Sequence, residues 1–325
     1  MNKIEVLENA EKAFADHQFQ IYYQPQYNYL NRRIVGTEAL VRWIHPQFGI
    51  QPPGEFIPVF EDSGLITKLD LYVMEEACRF LRECRESGVP YVPVSFNVSR
   101  HDVYACDFVE RMERIRKSYG IPVTDLRVEI TESAVIGSSD FLIRFVSRLQ
   151  SLGYTVEMDD FGSGYSSLNV LKDIEVDIIK LDMIFLRNKI GGRGGIIISS
   201  IVRMANWLGT PVIAEGVETV EQAEFLKSIG CIYIQGYLFS KPVPEREYLR
   251  LLTETKTDTA VPGMQLSDKL DAEKFWDPTT QETLLFYNFV GGAAIIAFSD
   301  PEIETLRVNE KYLTELGMNM NQQDV

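Results

Sequence analysis

Residues 126–160, LRVEITESAVIGSSDFLIRFVSRLQSLGYTVEMDD, contain the repeating unit from which the architecture can be inferred. A short apolar run ends near Glu129, an amphipathic segment follows and closes at Gly153, and a second apolar run ends in Asp159 and Asp160. A glycine that closes an amphipathic segment is typical of a helix C-cap, and short apolar runs are typical of buried strands. The stretch therefore predicts strand, helix and strand, with acids at the carboxyl end of each strand.

The same unit recurs along the first 240 residues. Amphipathic segments separate most of eight apolar runs, which are 20–24, 34–41, 92–98, 126–130, 155–158, 176–181, 211–214 and 233–239. Eight strands with intervening helices predict an α/β fold, a TIM-like (β/α)8 barrel. Only residues 25–33 separate the first two runs, and this is too short for the crossover that parallel neighbours need. We therefore expect the first strand to be antiparallel.

Polar side chains recur at the carboxyl ends of the predicted strands, where barrel enzymes place their sites. In chain order they are Glu38, Asn97, Glu129 with Glu132, Asp159 with Asp160, Lys180 with Asp182, Glu215 with Glu218, and Gln235. Any one of these residues could merely cap the next helix. Their recurrence on seven strands favours one common site, because a polar group in an apolar strand is costly to bury alone.

The donor atoms of this set indicate the kind of metal. Glu38, Asn97, Glu129 and Asp159 offer oxygen, which suits Mg²⁺ or Mn²⁺ rather than zinc. A carboxylate of the adjacent pair Asp159 and Asp160 could bridge two cations, as recurs in phosphodiester hydrolysis. Lys180 would offer a compact cation to a phosphate, and Glu215 could ligate the second metal or accept a proton. The alternative is that the aspartate pair only caps the turn that follows it.

Charge and hydropathy limit the other functions. The 325 residues carry a formal net charge of −15, which argues against a broad binding surface for duplex nucleic acid, because such a surface needs clustered Lys and Arg. No apolar run reaches the roughly 18 residues of a membrane span, and the N-terminus has no apolar signal-peptide core. We therefore expect a cytoplasmic protein that does not bind duplex nucleic acid and has no membrane span in this chain.

The barrel pattern stops near residue 250. We divide the chain into a barrel at 1–250, a linker with a helical end at 251–283, and a small α+β unit at 284–325. This last unit reads as strand, turn, strand and helix, and GAAIIAFSDPEIETLRVNEKYLTELG resembles the opening of a PAS sensor domain. Because a PAS fold would be half complete at residue 325, we expect a piece of a longer signalling protein.

Seven motifs in order resemble the EAL-domain cyclic di-GMP phosphodiesterases. They are TEALVRW with the residues that follow it, FNVS, VEITES, DDFGSGYSSL, IIKLD, AEGVETVEQ and GCIYIQGYLFSKPVP. They extend over roughly residues 10–250, and their number makes the resemblance specific. It implies a barrel with one antiparallel strand, hydrolysis of cyclic di-GMP to linear 5′-pGpG with two Mg²⁺ or Mn²⁺ ions, and a homodimer formed through the barrel.

The resemblance also implies a role for each matching residue. Metal ligands would be Glu38, Asn97, Glu129, Asp159, Asp160 and Glu215. Catalytic residues would be Lys180, Glu215, Glu38 and Asp160. Substrate contacts would be Gln24, Leu40, Arg42, Glu218 and Gln235, and Glu132 would stabilise the lid loop. The departures, at Ser163, Ile232 and the segment LKDIEVD, touch none of these positions.

Two rival hypotheses remain open at this point. The chain could be a receptor that binds cyclic di-GMP without turnover, or a scaffold whose barrel neither binds nor hydrolyses it. A receptor should lack metal ligands or the lysine, whereas this sequence retains both.

Overall fold

The fold is a closed barrel of eight strands, as predicted. The structure, a computed structural model, describes residues 1–131, 139–162, 171, 174–182, 192–257, 294–299, 302–308 and 312. The strands are β1 (Phe19–Asn28), β2 (Arg33–His45), β3 (Gly49–Gln51), β4 (Val94–Val98), β5 (Leu126–Thr131), β6 (Thr155–Phe161), β7 (Ile178–Asp182), β8 (Val212–Glu215), β9 (Tyr233–Ile234), β10 (Val243–Pro244), β11 (Ala294–Ser299) and β12 (Glu302–Val308).

Helices surround this barrel in the order that the amphipathic segments indicate. They are α1 (Lys3–Ala15), α2 (Pro53–Ser63), α3 (Ile66–Ser87), α4 (Arg100–Tyr104), α5 (Phe108–Tyr119), α6 (Ser139–Ser151), α7 (Gly192–Trp207), α8 (Val220–Ser228) and α9 (Glu245–Glu254). Left-handed glycines end α2, α3 and α5, at Gly64, Gly88 and Gly120, because only glycine adopts that conformation without strain. Within the described residues, no helix is long and apolar enough to cross a membrane.

The strand order confirms the antiparallel first strand. Parallel pairs run from β2 through β4, β5, β6, β7 and β8 to β9, and β1 closes the barrel by pairing antiparallel with both β2 and β9. Its register with β2 sets Gln24 opposite Glu38 and Gln26 opposite Gly36. The reversed strand therefore contributes side chains to the same barrel interior as its parallel neighbours.

The eighth strand is shorter than predicted. β9 ends at Ile234, so Gln235 lies just beyond the strand rather than within it. Gln235 N–H still donates to Ala214 O, and Val217 N–H donates to Gln235 O. At Gly236 the chain passes so close to the backbone of Val217 that a Cβ would overlap it. Regular pairing stops there, and glycine is needed for the close approach.

The reversal of β1 places α1 at the carboxyl end of the parallel strands. Phe19, the first residue of β1, is in register with Trp43 near the carboxyl end of β2. Phe14 of α1 packs on Phe19 with ring centroids 4.8 Å apart, and Phe60 of α2 joins the same aromatic cluster. Burial of these large rings fixes α1 against the barrel.

Beyond the barrel, the structure describes α9 and one hairpin. α9 follows the last strand of the barrel. The predicted strand, turn and strand correspond to β11 and β12, which pair antiparallel. Residues 258–293, which include most of the expected linker, and 313–325, in the expected final helix, lie outside the described residues. The resemblance to a PAS domain and the three-part division of the chain stay predictions.

Candidate active site

A single buried lysine lies among four carboxylates at the carboxyl end of the barrel. Lys180, from β7, is fully buried. Its Nζ is 2.7 Å from Glu129 Oε2, 2.7 Å from Glu215 Oε1, 3.2 Å from Glu38 Oε2 and 3.5 Å from Asp159 Oδ1. The carboxylates come from β2, β5, β6 and β8, so this cluster exists only because the barrel closes. Acids and lysine that the sequence spreads over 180 residues converge on one point.

Two side-chain amides donate hydrogen bonds to the Glu38 carboxylate. Asn97 Nδ2 donates to Glu38 Oε1 at 3.2 Å, and Gln235 Nε2 donates to Glu38 Oε2 at 2.6 Å. Gln235 Nε2 also lies 3.3 Å from Gln24 Oε1, so the reversed strand takes part in the same network. Glu38 thus has partners on both oxygens, which fixes the orientation of its carboxylate.

The electrostatics of the cluster differ from one carboxylate to the next. Burial raises the pKa of Glu129 and of Glu215 well above the ordinary range, with Lys180 opposing the shift. Burial also raises the pKa of Asp159, to about 6. Burial acts in the same direction on Glu38, but Lys180 and the amide hydrogen bonds outweigh it and lower the pKa of that carboxyl. One ammonium does not balance four largely buried carboxylates, and the cluster favours additional positive charge.

A bulge in β6 shapes the aspartate pair. The register with β7 shifts between Met158 and Phe161, and Asp160 adopts a left-handed backbone conformation with φ 55°, which aspartate tolerates better than most residues. Asp159 lies in the cluster, whereas Asp160 is exposed at the rim. The charge of Asp160 still contributes to the raised pKa of Asp159. A bulge of this kind re-aims consecutive side chains near a site.

The donor set fits a divalent cation that prefers oxygen. Glu129 Oε1, Asp159 Oδ1 and Glu215 Oε1 are buried without a hydrogen-bond partner. The contact of Glu215 Oε1 with Lys180 is an ion pair that lacks hydrogen-bond geometry. Among the described residues no three or more His, Cys, Asp or Glu side chains are arranged around one metal position, and Lys180 Nζ lies where the carboxylates converge. Buried carboxylate oxygens that accept no hydrogen bond are costly, and a bound cation would offset that cost.

The other predicted residues lie around this cluster or away from it. Leu40 lines a cavity of about 470 Å³ beside Asn97. Arg42 is half-buried, and its guanidinium lies 5.7 Å from the ring centroid of Tyr22. Glu218 is exposed beyond the end of β8, where its N–H donates to Gln222 Oε1. Glu132 and most of the glycine-containing lid loop, 163–170, lie outside the described residues.

The sequence reasoning missed a second polar layer beneath the cluster. On the parallel strands it lies two residues before the cluster, at Ser95, Arg127 and Glu157, and on the reversed β1 it lies two residues after Gln24, at Gln26. All four side chains are buried. Since side chains alternate along a strand, residues two apart face the same side. Arg127 and Glu157 stand two positions before Glu129 and Asp159. Charged residues at that spacing inside apolar runs were the available signal.

A second buried pair of acids was missed as well. Asp70 of α3 lines the same cavity as Leu40 and Asn97. Ser99 N–H donates to Asp70 Oδ2 at 3.1 Å and to Asp102 Oδ2 at 2.9 Å. An acid at a buried position of an amphipathic helix was the signal that could have identified it.

Comparisons with known proteins agree with this fold. Signaling protein YkoW of Bacillus subtilis is 33% identical over 75% of this chain. Cyclic di-GMP phosphodiesterase NbdA of Pseudomonas aeruginosa is 34% identical over 82% of this chain. The chain spans only about a third of the length of these curated relatives, 30% and 34% respectively.

A solved structure shares the architecture. The PaMucR phosphodiesterase in its c-di-GMP complex matches with a TM-score of 0.71 and 32% sequence identity, over 75% of this chain and 99% of that chain. The family model of the EAL domain matches residues 7–242, which include most of α1, the whole barrel and every residue of the lysine–carboxylate cluster. The chain belongs to the EAL domain family.

Proposed function

We propose that this chain is a metal-dependent phosphodiesterase that hydrolyses cyclic di-GMP to linear 5′-pGpG. One observation carries the proposal: four carboxylates from four strands converge on buried Lys180, and three of their buried oxygens lack a hydrogen-bond partner. Relatives named cyclic di-GMP phosphodiesterases, among them NbdA, support the same reaction. An oxygen donor set with a nearby lysine suits a phosphodiester better than an uncharged substrate.

The cations would be Mg²⁺ or Mn²⁺, and we assign two of them. Their ligands would be Glu38, Asn97, Glu129, Asp159, Asp160 and Glu215. When bound, divalent ions offset the negative charge that builds up on the phosphate during hydrolysis. The lowered pKa of Glu38 keeps that carboxylate ionised and ready to bind a cation at neutral pH.

The reaction requires an acceptor for one proton and a donor for another. The oxygen of one water forms a bond to phosphorus, the bond from phosphorus to O3′ breaks, and O3′ gains a proton. The Glu215 carboxylate would accept the proton that the attacking water loses. Lys180 Nζ, 2.7 Å from Glu215 Oε1, places a positive charge beside that group. We assign Glu215 and Lys180 as the catalytic pair, with Glu38 and Asp160 assisting.

Residues around the cluster would bind the parts of the dinucleotide that do not react. Half-buried Arg42 would contact a phosphate, since a guanidinium can bind two phosphate oxygens at once. The cavity of about 470 Å³ beside Leu40 and Asn97 suits one base. We assign Gln24, Leu40, Arg42, Glu218 and Gln235 to the substrate, and Glu132 to the lid loop.

The test is hydrolysis of cyclic di-GMP in Mg²⁺ or Mn²⁺, compared between wild type and Glu38→Ala. Because Glu38 has two amide partners and would bind the cation directly, its loss should reduce turnover by more than the roughly 10–100-fold typical of an outer-shell partner. Glu8→Ala, an exposed glutamate of α1, is the control and should retain wild-type turnover. Full activity of Glu38→Ala would contradict the site. Binding of cyclic di-GMP without product over hours would favour a receptor instead.

Three wider assignments rest on the same proposal. We propose a homodimer formed through the barrel at α7, which exposes Ile196, Ile197 and Trp207. We propose that residues 1–250 are the catalytic barrel, 251–283 a linker and 284–325 part of a PAS-like unit. The test is to express residues 1–250 alone, which should retain the turnover of the full chain. A nucleotide second messenger as substrate also places the domain in the cytoplasm, which localisation of a fluorescent fusion would test.

A further inference from the structure

The polar layer beneath the cluster is connected to Glu38 by an unbroken series of hydrogen bonds. Arg127 Nη1 donates to Glu157 Oε1 at 3.2 Å and to Gln26 Oε1 at 3.3 Å, and Arg127 Nη2 donates to Val35 O at 3.2 Å. Gln26 Nε2 then donates to Gln235 Oε1 at 3.1 Å. This arrangement links a buried ion pair to the site residues above it.

The two ends of the series fix its direction. A guanidinium can only donate and a carboxylate can only accept, whereas an amide presents a donor on one side and an acceptor on the other. Arg127 therefore requires Oε1 of Gln26 to face it, which turns Gln26 Nε2 toward Gln235. Gln235 in turn presents its Nε2 to Glu38 Oε2, at 2.6 Å. If either amide were reversed, like groups would face each other at two contacts.

The ion pair at the lower end is itself held firmly. Arg127 is 2% exposed and Glu157 is fully buried. Ser95 Oγ donates to the second oxygen of the Glu157 carboxylate at 2.9 Å. Because a buried ion pair is stable only when its remaining atoms are satisfied, Glu157 and Ser95 keep Arg127 in the position from which it orients Gln26.

A glycine provides the space for this contact. Gly36 lies opposite Gln26 in the register of β1 and β2. A Cβ at position 36 would overlap Gln26 Oε1 and lie 2.8 Å from Arg127 Nη1. Glycine inside a strand weakens it relative to alanine, so its presence here is explained by the approach of these two side chains.

We propose that Arg127 and Gln26 are positioning residues that set the orientation of Gln235 and so hold the Glu38 carboxylate in place for a divalent cation. The proposal rests on the proposed function, which makes Glu38 a metal ligand. Outer-shell partners that orient a metal ligand typically change metal affinity by about 10–100-fold when they are lost. Neither residue contacts the substrate or the cation in this scheme.

The experiment measures Mn²⁺ binding to the full chain by calorimetry, without substrate. Gln26→Met keeps the length of the side chain but can orient nothing, and Gln26→Glu still accepts from Arg127 but cannot donate to Gln235 when ionised. Both variants should bind Mn²⁺ about 10–100-fold more weakly than wild type. Ile213→Val is the control, because it trims a buried side chain that lies two residues before Glu215 and makes none of these hydrogen bonds.

The outcomes separate this proposal from the proposed function. Urea denaturation of each variant records the loss of stability, and Ile213→Val should lose stability without a change in Mn²⁺ affinity. Wild-type affinity in Gln26→Met would overturn the positioning role and leave the phosphodiesterase proposal standing. Wild-type affinity in Gln26→Glu alone would overturn the direction of the series. A wild-type protein that binds no Mn²⁺ would overturn both proposals.

Discussion

At the scale of single residues, the pair Asp70 and Asp102 shows how burial sets a protonation state. Both side chains are buried, and Asp102 Oδ1 has no hydrogen-bond partner among the described residues. Burial raises the pKa of Asp70 well above its usual range, and a hydrogen bond with Asp102 and the repulsion of its charge raise it further. We infer that the Asp70 carboxyl stays protonated in the folded state and that its O–H donates a hydrogen bond to the Asp102 carboxylate.

This inference predicts a pH dependence of stability. An unfolded aspartate loses its proton near pH 4, whereas folded Asp70 keeps it, so the folded state binds more protons above that pH. The free energy of unfolding should therefore decrease as pH rises, by up to about 1.4 kcal/mol per pH unit, until pH passes the folded pKa. Asp70→Asn retains a hydrogen-bond donor but cannot ionise. Its free energy of unfolding, measured by urea denaturation between pH 4.5 and 8, should therefore lack this part of the pH dependence.

An exposed aspartate provides the control for that measurement. Asp62 on α2 is exposed and paired with Lys3, which lowers the pKa of its carboxyl. Asp62→Asn should leave the slope close to that of wild type, because exposed ion pairs contribute little. Equal slopes in Asp70→Asn and wild type would show that Asp70 is ionised in the folded protein.

At the scale of elements, the period of two along each strand accounts for both the cluster and the layer below it. Every apolar run became a strand, because short apolar runs bounded by helices have few other arrangements in an α/β chain. The second layer at Arg127 and Glu157 was also open to prediction, since alternation places residues two apart on the same face. The bulge at Asp160 was not, because it depends on how β6 pairs with β7.

The end of β9 gives a prediction at this scale. A Cβ at position 236 would overlap the backbone of Val217, which cannot move aside as a flexible side chain can. Gly236→Ala should therefore destabilise the protein by about 1–3 kcal/mol and displace Gln235 from Glu38. Gly54→Ala on α2 meets open space at an ordinary φ, and should be neutral or stabilising by about 0.4–1 kcal/mol. Urea denaturation of both variants is the measurement, and equal stabilities would contradict the steric argument.

At the scale of the whole molecule, the order of motifs was enough to predict a closed barrel with one reversed strand. It was not enough to show that Lys180 would lie at the centre of the carboxylates, because this requires the closed barrel. Nor could the sequence distinguish exposed Glu218, beyond the end of β8, from Glu215, which ends that strand and is only partly exposed. Such differences depend on the residue at which each strand ends. Local sequence patterns predict that residue less well than they predict that a strand is present.

The proposed homodimer is testable by its concentration dependence. Ile196 on α7 and Ile4 on α1 are equally exposed, at 67% each. If α7 forms the interface, Ile196→Glu should raise the dimer dissociation constant by about 10-fold or more, since a buried apolar contact is replaced by a charge. Ile4→Glu should leave it unchanged. Sedimentation equilibrium is the measurement, and a wild-type chain that is monomeric at every concentration would exclude the dimer.

The reversal of β1 also has a mechanical consequence. In a barrel of eight parallel strands, the segment before the first strand would enter at the end opposite the site. Here it enters at the same end, and Phe14 of α1 presses directly on Phe19 at the start of the strand that carries Gln24. A displacement of α1 would therefore act directly on the start of β1 through the ring of Phe14, which also packs on Phe60 and Tyr72. The first helix is thus attached to the end of the barrel that holds the site, and not to the opposite end.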